Sequence, residues 1–165
     1  MANEPEQAYL RELLDYDANT GLFTRRKTKF RKAGPCGVSM KKGYIRMRAG
    51  SGRFHAHRLA WIWCYGGPIP SDREIDHING IKTDNRICNL RLVTSVQNRW
   101  NRSAYRNNTS GHKGVSLHKA SGLWTVHIRA NGIRRCLGYY KSKEDAAAAY
   151  LNAAQELHGE FAFCK

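Results

Sequence analysis

Short runs of alternating apolar and polar residues, separated by turn residues, make up most of this 165-residue chain. Alternation with a period of two is typical of half-buried strands, whereas an apolar residue at every third or fourth position is typical of helices. Before residue 70 these patterns predict a helix at Pro5–Leu14, a strand from Leu22, a hairpin at 37–49, a strand at 53–58 and a buried helix at Leu59–Tyr65. This mixture predicts the α+β class.

The stretch 73–98 predicts a strand, a loop, a second strand and a short helix. The first strand ends on Asp76 and His77, and the turn Asn79-Gly80 follows at once. The second strand alternates over 89–93, and either Thr94 or Ser95 is then expected to cap a short helix that carries Asn98 in its first turn. Carboxylate, imidazole and carboxamide groups therefore recur along one compact segment.

These groups suit one kind of chemistry. Asp76 and Asn98 offer hard oxygen atoms, which bind magnesium-like cations together with water and phosphate oxygens. The side chain of His77 can accept a proton from water near neutral pH. An isolated Asp-His pair is commonly a turn or a surface pair, but the Asn-rich frame and Asn98 favour phosphodiester hydrolysis.

The second half of the chain predicts a small three-stranded antiparallel sheet followed by one helix. The strands are expected at 114–118, 123–129 and 134–140, with turns at 119–122 and at 131–132, and Ser142 caps a helix over 143–157. Strict alternation in the middle strand divides Leu123, Thr125, His127 and Arg129 on one face from Trp124, Val126 and Ile128 on the other. A polar, basic segment at 104–110 is predicted to link the two halves.

The net charge of +15 and a pI near 10.0 indicate a polyanionic partner, either nucleic acid or an anionic membrane surface. No run approaches the roughly 18 apolar residues of a membrane span, and the N-terminus is not typical of a secretory signal. Nucleic acid is therefore favoured, with no membrane partner. Six cations within eight positions are either a solvated loop or, as we favour, a phosphate-contact segment: Arg25, Arg26, Lys27, Lys29, Arg31 and Lys32.

The five cysteines are an odd number without a CxxC pair, which argues against a disulfide framework and against a structural zinc site. A reducing cytosol fits them best. They are Cys36, Cys64, Cys88, Cys136 and Cys164.

Several segments carry a family resemblance. The segments are His57-Arg58-Leu59-Ala60, Glu74–Gly80, Thr83–Arg86, Asn89-Leu90-Arg91 and Gln97-Asn98. Their order and spacing resemble the HNH nucleases of the ββα-metal fold, and more narrowly the HNH proteins and homing endonucleases of bacteriophages. The resemblance implies a ββα-metal core at about 73–102 within a nuclease domain at 1–103.

The resemblance also implies roles for single residues. His77 matches the general base, and Asn89 matches the asparagine that steadies the base and the loop between the strands. Asp76 matches the acidic metal ligand, and Asn98 stands at a metal-ligand position where many relatives have histidine. The implied cofactor is one Mg²⁺ or Mn²⁺ ion, with no structural zinc and no small-molecule cofactor.

Residues 111–165 resemble the DNA-binding domain of plant ethylene-response factors, the Apetala family. The matching residues are Gly114-Val115, Trp124, Ile128-Arg129, Leu137-Gly138-Tyr139, Glu144–Tyr150 and Ala153-Ala154. In that family the outer face of the sheet lies in the major groove, which implies DNA contacts from Lys113, His118, His127, Arg129 and Arg135. Trp124 matches a DNA-contacting tryptophan, although the alternation could instead bury it. Ser116 and Leu117 depart from the arginines usual in the first strand.

The favoured interpretation is a metal-dependent endonuclease of the phage HNH homing type that hydrolyses phosphodiester bonds in double-stranded DNA. It would act as a monomer or weak dimer in the cytoplasm of a bacterial host. The main alternative is a non-catalytic, sequence-specific DNA-binding regulator. An RNA-binding protein is a third hypothesis, but the tyrosines are scattered and form no stacking platform.

Overall fold

The computed structural model describes residues 4–29, 32–104 and 107–162. In this part of the chain, four α-helices and eleven strands follow one another in the order α1 Gln7–Leu13, β1 Leu14–Asp17, β2 Leu22–Arg25, β3 Gly34–Pro35, β4 Val38–Lys41, β5 Tyr44–Ala49, β6 Gly52–His55, α2 Ala56–Tyr65, β7 Arg73–His77, β8 Leu90–Thr94, α3 Ser95–Trp100, β9 Val115–His118, β10 Leu123–Ala130, β11 Ile133–Tyr140 and α4 Lys143–His158. The predicted mixture of helices and small antiparallel sheets is confirmed. None of the described helices is long and apolar enough to cross a membrane.

The chain divides into two compact units, Met1–Ser95 and Val96–Lys165. The division lies earlier than the nuclease-domain end predicted at residue 103, and it assigns most of α3 to the C-terminal unit. The strands form a sheet of order β1-β2-β3, a sheet of order β4-β5-β6, a β7-β8 pair and a sheet of order β11-β10-β9.

The first helix ends one residue earlier than predicted, because Leu14 already belongs to a strand. Leu14 and Tyr16 are buried while the intervening Asp15 and Asp17 are exposed, which is the period of a strand. β1 pairs antiparallel with β2 from Leu14↔Arg25 to Asp17↔Leu22. Strand β1 was not predicted, because four residues of alternation merge into the apolar pattern of the helix before them.

Helix α2 begins at Ala56, three residues before the predicted start. Ala56, Leu59 and Ala60 are all buried, and their spacing of three and four places them on one helical face. That face packs in the core of the N-terminal unit together with Met47 of β5. The same core includes Ile75 of β7, and the ring of His57 in the first turn of α2 lies against that of His77 at the end of β7.

Strands β7 and β8 pair antiparallel, with Asp76 opposite Arg91 and His77 opposite Leu90. The three residues at the end of β7 are buried one after another, so both faces of the strand are covered there. β8 begins at Leu90, because Ile87–Asn89 form a short 3₁₀ turn. The predicted strand, loop, strand and helix are therefore present, with shifts of single residues at the boundaries.

In the C-terminal unit, α4 packs on one face of the β9-β10-β11 sheet. Ser142 caps the helix as predicted, since its hydroxyl accepts a hydrogen bond from the backbone nitrogen of Asp145 at 2.9 Å. The Asn131-Gly132 turn has φ values of 51° and 79°, as a two-residue hairpin of this type requires. The core between sheet and helix contains Val115, Val126, Ile128, Ala146, Tyr150 and Ala154.

Candidate active site

Two ionisable side chains lie buried at the end of β7. Asp76 is 7% exposed and His77 is 4% exposed. A buried carboxylate is stable only with a charged or hydrogen-bonding partner. Arg91, opposite Asp76 in the strand pair, provides it: its Nε donates to Oδ2 of Asp76 at 3.0 Å, and Nη2 lies 3.0 Å from the same oxygen. The register of two short strands thus creates the ion pair.

His77 makes a hydrogen bond to Asn85, a residue of the Thr83–Arg86 motif segment to which the sequence analysis assigned no role. Its Nε2 lies 3.2 Å from Oδ1 of Asn85, which is itself 2% exposed. Burial lowers the pKa of His77 below its usual range, while the bond to Asn85 and the carboxylate of Asp76 oppose that shift. The imidazole is therefore neutral near pH 7, which is the state that can accept a proton.

The rings of His57 and Tyr44 contact that of His77, and the ring of His55 stacks on His57. The ring of His57 stands edge-on to it with centroids 5.1 Å apart, and the ring of Tyr44 lies at 5.9 Å. The ring of His55 stacks on His57 at 5.3 Å with an angle of 12° between the planes. Burial, with smaller effects from His77, His55 and Arg58, lowers the pKa of His57 to about 3. His57 is thus a neutral packing partner of His77.

Asn89 ties the loop between β7 and β8 together. Its Oδ1 accepts from the backbone nitrogen of Asn79 at 3.0 Å. Its Nδ2 donates to Oδ1 of Asn79 at 3.0 Å and to the carbonyl of Asp84 at 2.8 Å. Hydrogen bonds from Arg86 hold the pKa of Asp84 well below its usual range, so Asp84 is a constant acceptor for Nδ2 of Asn79. These bonds join both ends of the loop that follows His77.

Asn98, the second predicted metal ligand, lies on α3, where the sequence placed it, and is half-buried. Among the described residues, no three His, Cys, Asp or Glu side chains are grouped so that they could hold a metal ion. The predicted donor set is a carboxylate and a carboxamide. Such a pair of hard oxygens fits Mg²⁺ or Mn²⁺, which keep several water and phosphate ligands, and does not fit a zinc cage.

The described cations of the predicted phosphate-contact segment differ in their exposure and in their contacts. Arg25 is half-buried and its Nε donates to the carbonyl of Lys32, at 3.4 Å. Arg26 pairs with Asp15 at 2.7 Å. Lys27, Lys29 and Lys32 are exposed, and Arg31 lies outside the described residues.

The outer face of the C-terminal sheet differs in part from the sequence expectation. His118 and Arg129 are exposed, and His127 is half-buried with its Nε2 3.3 Å from the Thr125 hydroxyl. Arg129 pairs with Arg134, whereas Arg135 pairs with Ile128. Directly opposed residues share a face, so Arg134 replaces Arg135 beside Arg129. The cause is a register shift in the β10-β11 pair after Val126.

Trp124 is turned towards the core, which is the alternative to DNA contact that the alternation of β10 allowed. It shares the face of Val126 and Ile128 and is half-buried against their core. Its ring therefore lies on the side of the sheet that α4 covers, which differs from the DNA-contact role that the resemblance implied.

Lys113 has a different use from the DNA contact expected of it. Its Nζ donates to the carbonyls of Trp100 at 2.6 Å, Arg102 at 2.7 Å and Arg99 at 3.4 Å. Burial lowers the pKa of Lys113 to about 8. Nearby, the ring of Trp100 stacks on His158 with centroids 4.4 Å apart. Lys113 thus caps the C-terminal end of α3 within the C-terminal unit.

Three residues of the N-terminal unit that touch the Asp76-His77 pair were not predicted from the sequence. Asn85 and Arg91 stood within the quoted motif segments, but nothing in their local pattern marked the side-chain partner of either. Tyr44 lay in the strand of a hairpin and carried no separate signal.

Comparison of the sequence with known proteins identifies the family of the segment that contains this site. A family model described as HNH endonuclease matches residues 54–99, which include β7, the loop, β8 and most of α3. Protein 3.8 of Escherichia phage T7 is 36% identical over 104 residues, which cover 61% of this chain and 84% of that protein. No solved structure matches the chain.

A second relative is Uncharacterized HNH endonuclease L560 of Acanthamoeba polyphaga mimivirus. It is 37% identical over 111 residues, which cover 67% of this chain and 57% of that protein. The family match and the printed name of the mimivirus relative agree. This chain therefore carries a domain of the HNH endonuclease family at residues 54–99, a family of nucleases that act on DNA.

Proposed function

We propose that this protein is a metal-dependent endonuclease of the phage HNH homing type that hydrolyses phosphodiester bonds in double-stranded DNA. The observation that carries the proposal is the neutral, buried imidazole of His77 directly beside the carboxylate of Asp76, at the end of β7. An imidazole held in its neutral form can remove a proton from water near pH 7. The phage relative supports the cytoplasm of a bacterial host as the setting, and we propose a monomer or weak dimer.

His77 acts as the general base. It takes a proton from a water molecule whose oxygen forms a new bond to the scissile phosphorus, while the bond from phosphorus to the 3′ oxygen breaks. Because burial keeps His77 neutral, no free energy is needed to deprotonate it first at pH 7. Asn89 supports this step by holding the loop that follows the base.

Asp76 and Asn98 would hold one Mg²⁺ or Mn²⁺ ion. When bound, such an ion neutralises the charge that develops on the phosphate and on the leaving oxygen. The ion pair with Arg91 fixes the direction of the Asp76 carboxylate oxygens. Asn98 contributes an uncharged oxygen from α3.

DNA is held by two basic regions in this proposal, the segment 25–32 of a nuclease domain at 1–103 and an ethylene-response-factor-like domain at 111–165. Exposed Lys27, Lys29 and Lys32 contact phosphates, which supplies affinity without sequence preference. His118 and Arg129, exposed on the outer sheet face, read the major groove.

The direct test is cleavage of supercoiled plasmid with Mg²⁺, Mn²⁺ or a chelator. We expect metal-dependent cutting by the wild type and none by His77→Ala, with duplex affinity near that of the wild type because the base makes no phosphate contact of its own. His112→Ala, a half-exposed histidine outside the site, is the matched control and should cut normally. Wild-type cutting by His77→Ala would refute the assignment of the base, and tight binding without cutting by the wild type would support the regulator.

A further inference from the structure

The hydrogen bond between His77 and Asn85 determines which imidazole nitrogen carries hydrogen. Oδ1 of a carboxamide only accepts, so Nε2 of His77, 3.2 Å away, must donate. The orientation of the carboxamide follows from its other end, because Nδ2 of Asn85 donates to the carbonyl of Thr83 at 3.4 Å. The neutral imidazole is therefore the Nε2–H tautomer, and Nδ1 carries the lone pair.

The backbone of Asn85 is held in turn by the β1-β2 hairpin. The hydroxyl of Tyr16 donates to the carbonyl of Asn85 at 2.7 Å, and both residues are buried. Gly21, in the turn of the same hairpin, has φ +72°, and a Cβ built there would lie 2.5 Å from the backbone nitrogen of Arg86 and 2.6 Å from the carbonyl carbon of Asn85. The hairpin turn is thus seated directly against the peptide that joins Asn85 to Arg86.

Asn85 itself has little freedom to move. It is 2% exposed, and its position is set by the Tyr16 hydroxyl, the Gly21 turn and the Thr83 carbonyl. A partner held on several sides keeps a histidine ring and its tautomer fixed, as the carboxylate partner of a catalytic histidine does in other hydrolases.

We propose that Asn85 is a positioning residue that holds His77 in the Nε2–H tautomer, so that Nδ1 is the atom that takes the proton from water. The β1-β2 hairpin, through Tyr16 and Gly21, is the support of that positioning. The inference rests on the proposed function for its catalytic consequence, but the tautomer itself is a property of the folded protein without DNA.

The experiment has two readouts. The first is the long-range ¹H–¹⁵N spectrum of ¹⁵N-histidine-labelled protein at mildly alkaline pH, with His77→Ala used to assign the signals of His77. We expect the Nε2–H pattern in the wild type and in Asn85→Asp, which keeps an acceptor oxygen. We expect a mixture of tautomers in Asn85→Leu, which removes the acceptor.

The second readout is cleavage under single-turnover conditions with protein saturating. Asn85→Leu should lower the rate by about 10-fold to 100-fold with unchanged duplex affinity, because loss of a partner that orients a catalytic histidine acts on the chemical step. Asn152→Leu, on the exposed face of α4, is the matched control and should leave rate, affinity and spectrum unchanged.

An unaltered His77 spectrum in Asn85→Leu, or a wild-type cleavage rate, would overturn the proposal. If Asn85→Leu does not fold, Tyr16→Phe removes only the hydroxyl that holds the Asn85 carbonyl. It should give a smaller change in the same direction in both readouts, and no change in either would overturn the proposal equally. A wild type that cuts no duplex would contradict the proposed function, while the spectra would still decide the role of Asn85.

Discussion

At the scale of single residues, burial sets the protonation of the histidines beside β7. His57 is 8% exposed, and its Nδ1 has no hydrogen-bond partner among the described residues. An imidazolium there would lose its hydration without gaining a carboxylate, so the neutral ring is strongly preferred. The consequence is a pH dependence of stability that belongs to this residue.

His57→Phe should reveal that dependence. The pKa of His57 is about 3 in the folded protein and about 6.5 when unfolded, so below pH 6.5 only the unfolded chain takes up the proton. Stability contributed by His57 is therefore present above pH 6.5 and is lost as pH falls towards 3. Phenylalanine keeps a ring without titrating.

The measurement is chemical denaturation of both proteins at two pH values. We expect the wild type to lose about 2 kcal/mol more than His57→Phe between pH 7 and pH 5. Equal losses would mean that the ring of His57 reaches solvent and titrates normally in the folded state.

At the scale of elements, the β1-β2 turn packs so closely on the segment 85–86 that position 21 admits no side chain. Gly21 has φ +72° and faces backbone atoms, whereas Gly67 of the same unit has φ +68° and nothing within 4 Å of a built Cβ. The two glycines therefore share the strain of the left-handed region but differ in the space around them.

Gly21→Ala and Gly67→Ala form a matched pair. Gly67→Ala should cost about 1 kcal/mol of the free energy of unfolding, from backbone strain alone. Gly21→Ala should cost at least about 2 kcal/mol more, because the backbone of Asn85 and Arg86 has to shift. Equal costs in urea denaturation would show that the turn does not press on this segment.

The C-terminal end of α3 is the second place where an element depends on one side chain. Lys113→Met removes a half-buried cation that donates to three backbone carbonyls. We expect the free energy of unfolding of the C-terminal unit to fall by about 2 kcal/mol, since the carbonyls lose a charged donor. Lys119→Met, exposed on the β9-β10 turn, should cost almost nothing.

Duplex affinity separates the two possible uses of Lys113. Because its amine is occupied by the carbonyls of α3, Lys113→Met should change the salt dependence of DNA binding no more than Lys119→Met does. A clear fall in the salt slope for Lys113→Met, without one for Lys119→Met, would instead support the DNA contact by Lys113 that the family resemblance implied.

At the scale of the whole molecule, a net charge of +15 makes DNA affinity depend on salt. Replacing Lys27, Lys29 and Lys32 together by glutamine should weaken duplex binding without sequence preference. It should also reduce the slope of log K against log salt concentration by about 1 for each lysine that neutralises a phosphate. Lys143→Gln, on α4, is the control for loss of charge alone. If the triple variant and Lys143→Gln have the same salt slope, the phosphate contacts lie elsewhere.

Most of the elements could be predicted, because their signals are local. The Asn131-Gly132 turn, the Ser142 cap and the alternation of β10 each act through neighbours a few residues away. β1 was missed because four residues are too few to reveal a period beside a helix. The face of Arg135 was missed because a register shift depends on how two strands pair, which neither strand encodes alone.

The sequence by itself determined the strand, loop, strand and helix that present Asp76, His77, Asn89 and Asn98, together with the basic charge and the motifs of the HNH family. Turn chemistry and periodicity suffice for that, since they act over short stretches. Only the tertiary structure decided what surrounds the base: Asn85 on Nε2, His57 at its edge and Tyr16 behind Asn85. The contacts of His57 and Tyr16 join residues far apart in the chain, and they form only when distant elements pack into one buried core. The bond from His77 to Asn85 spans one loop, but its geometry depends on that same packing.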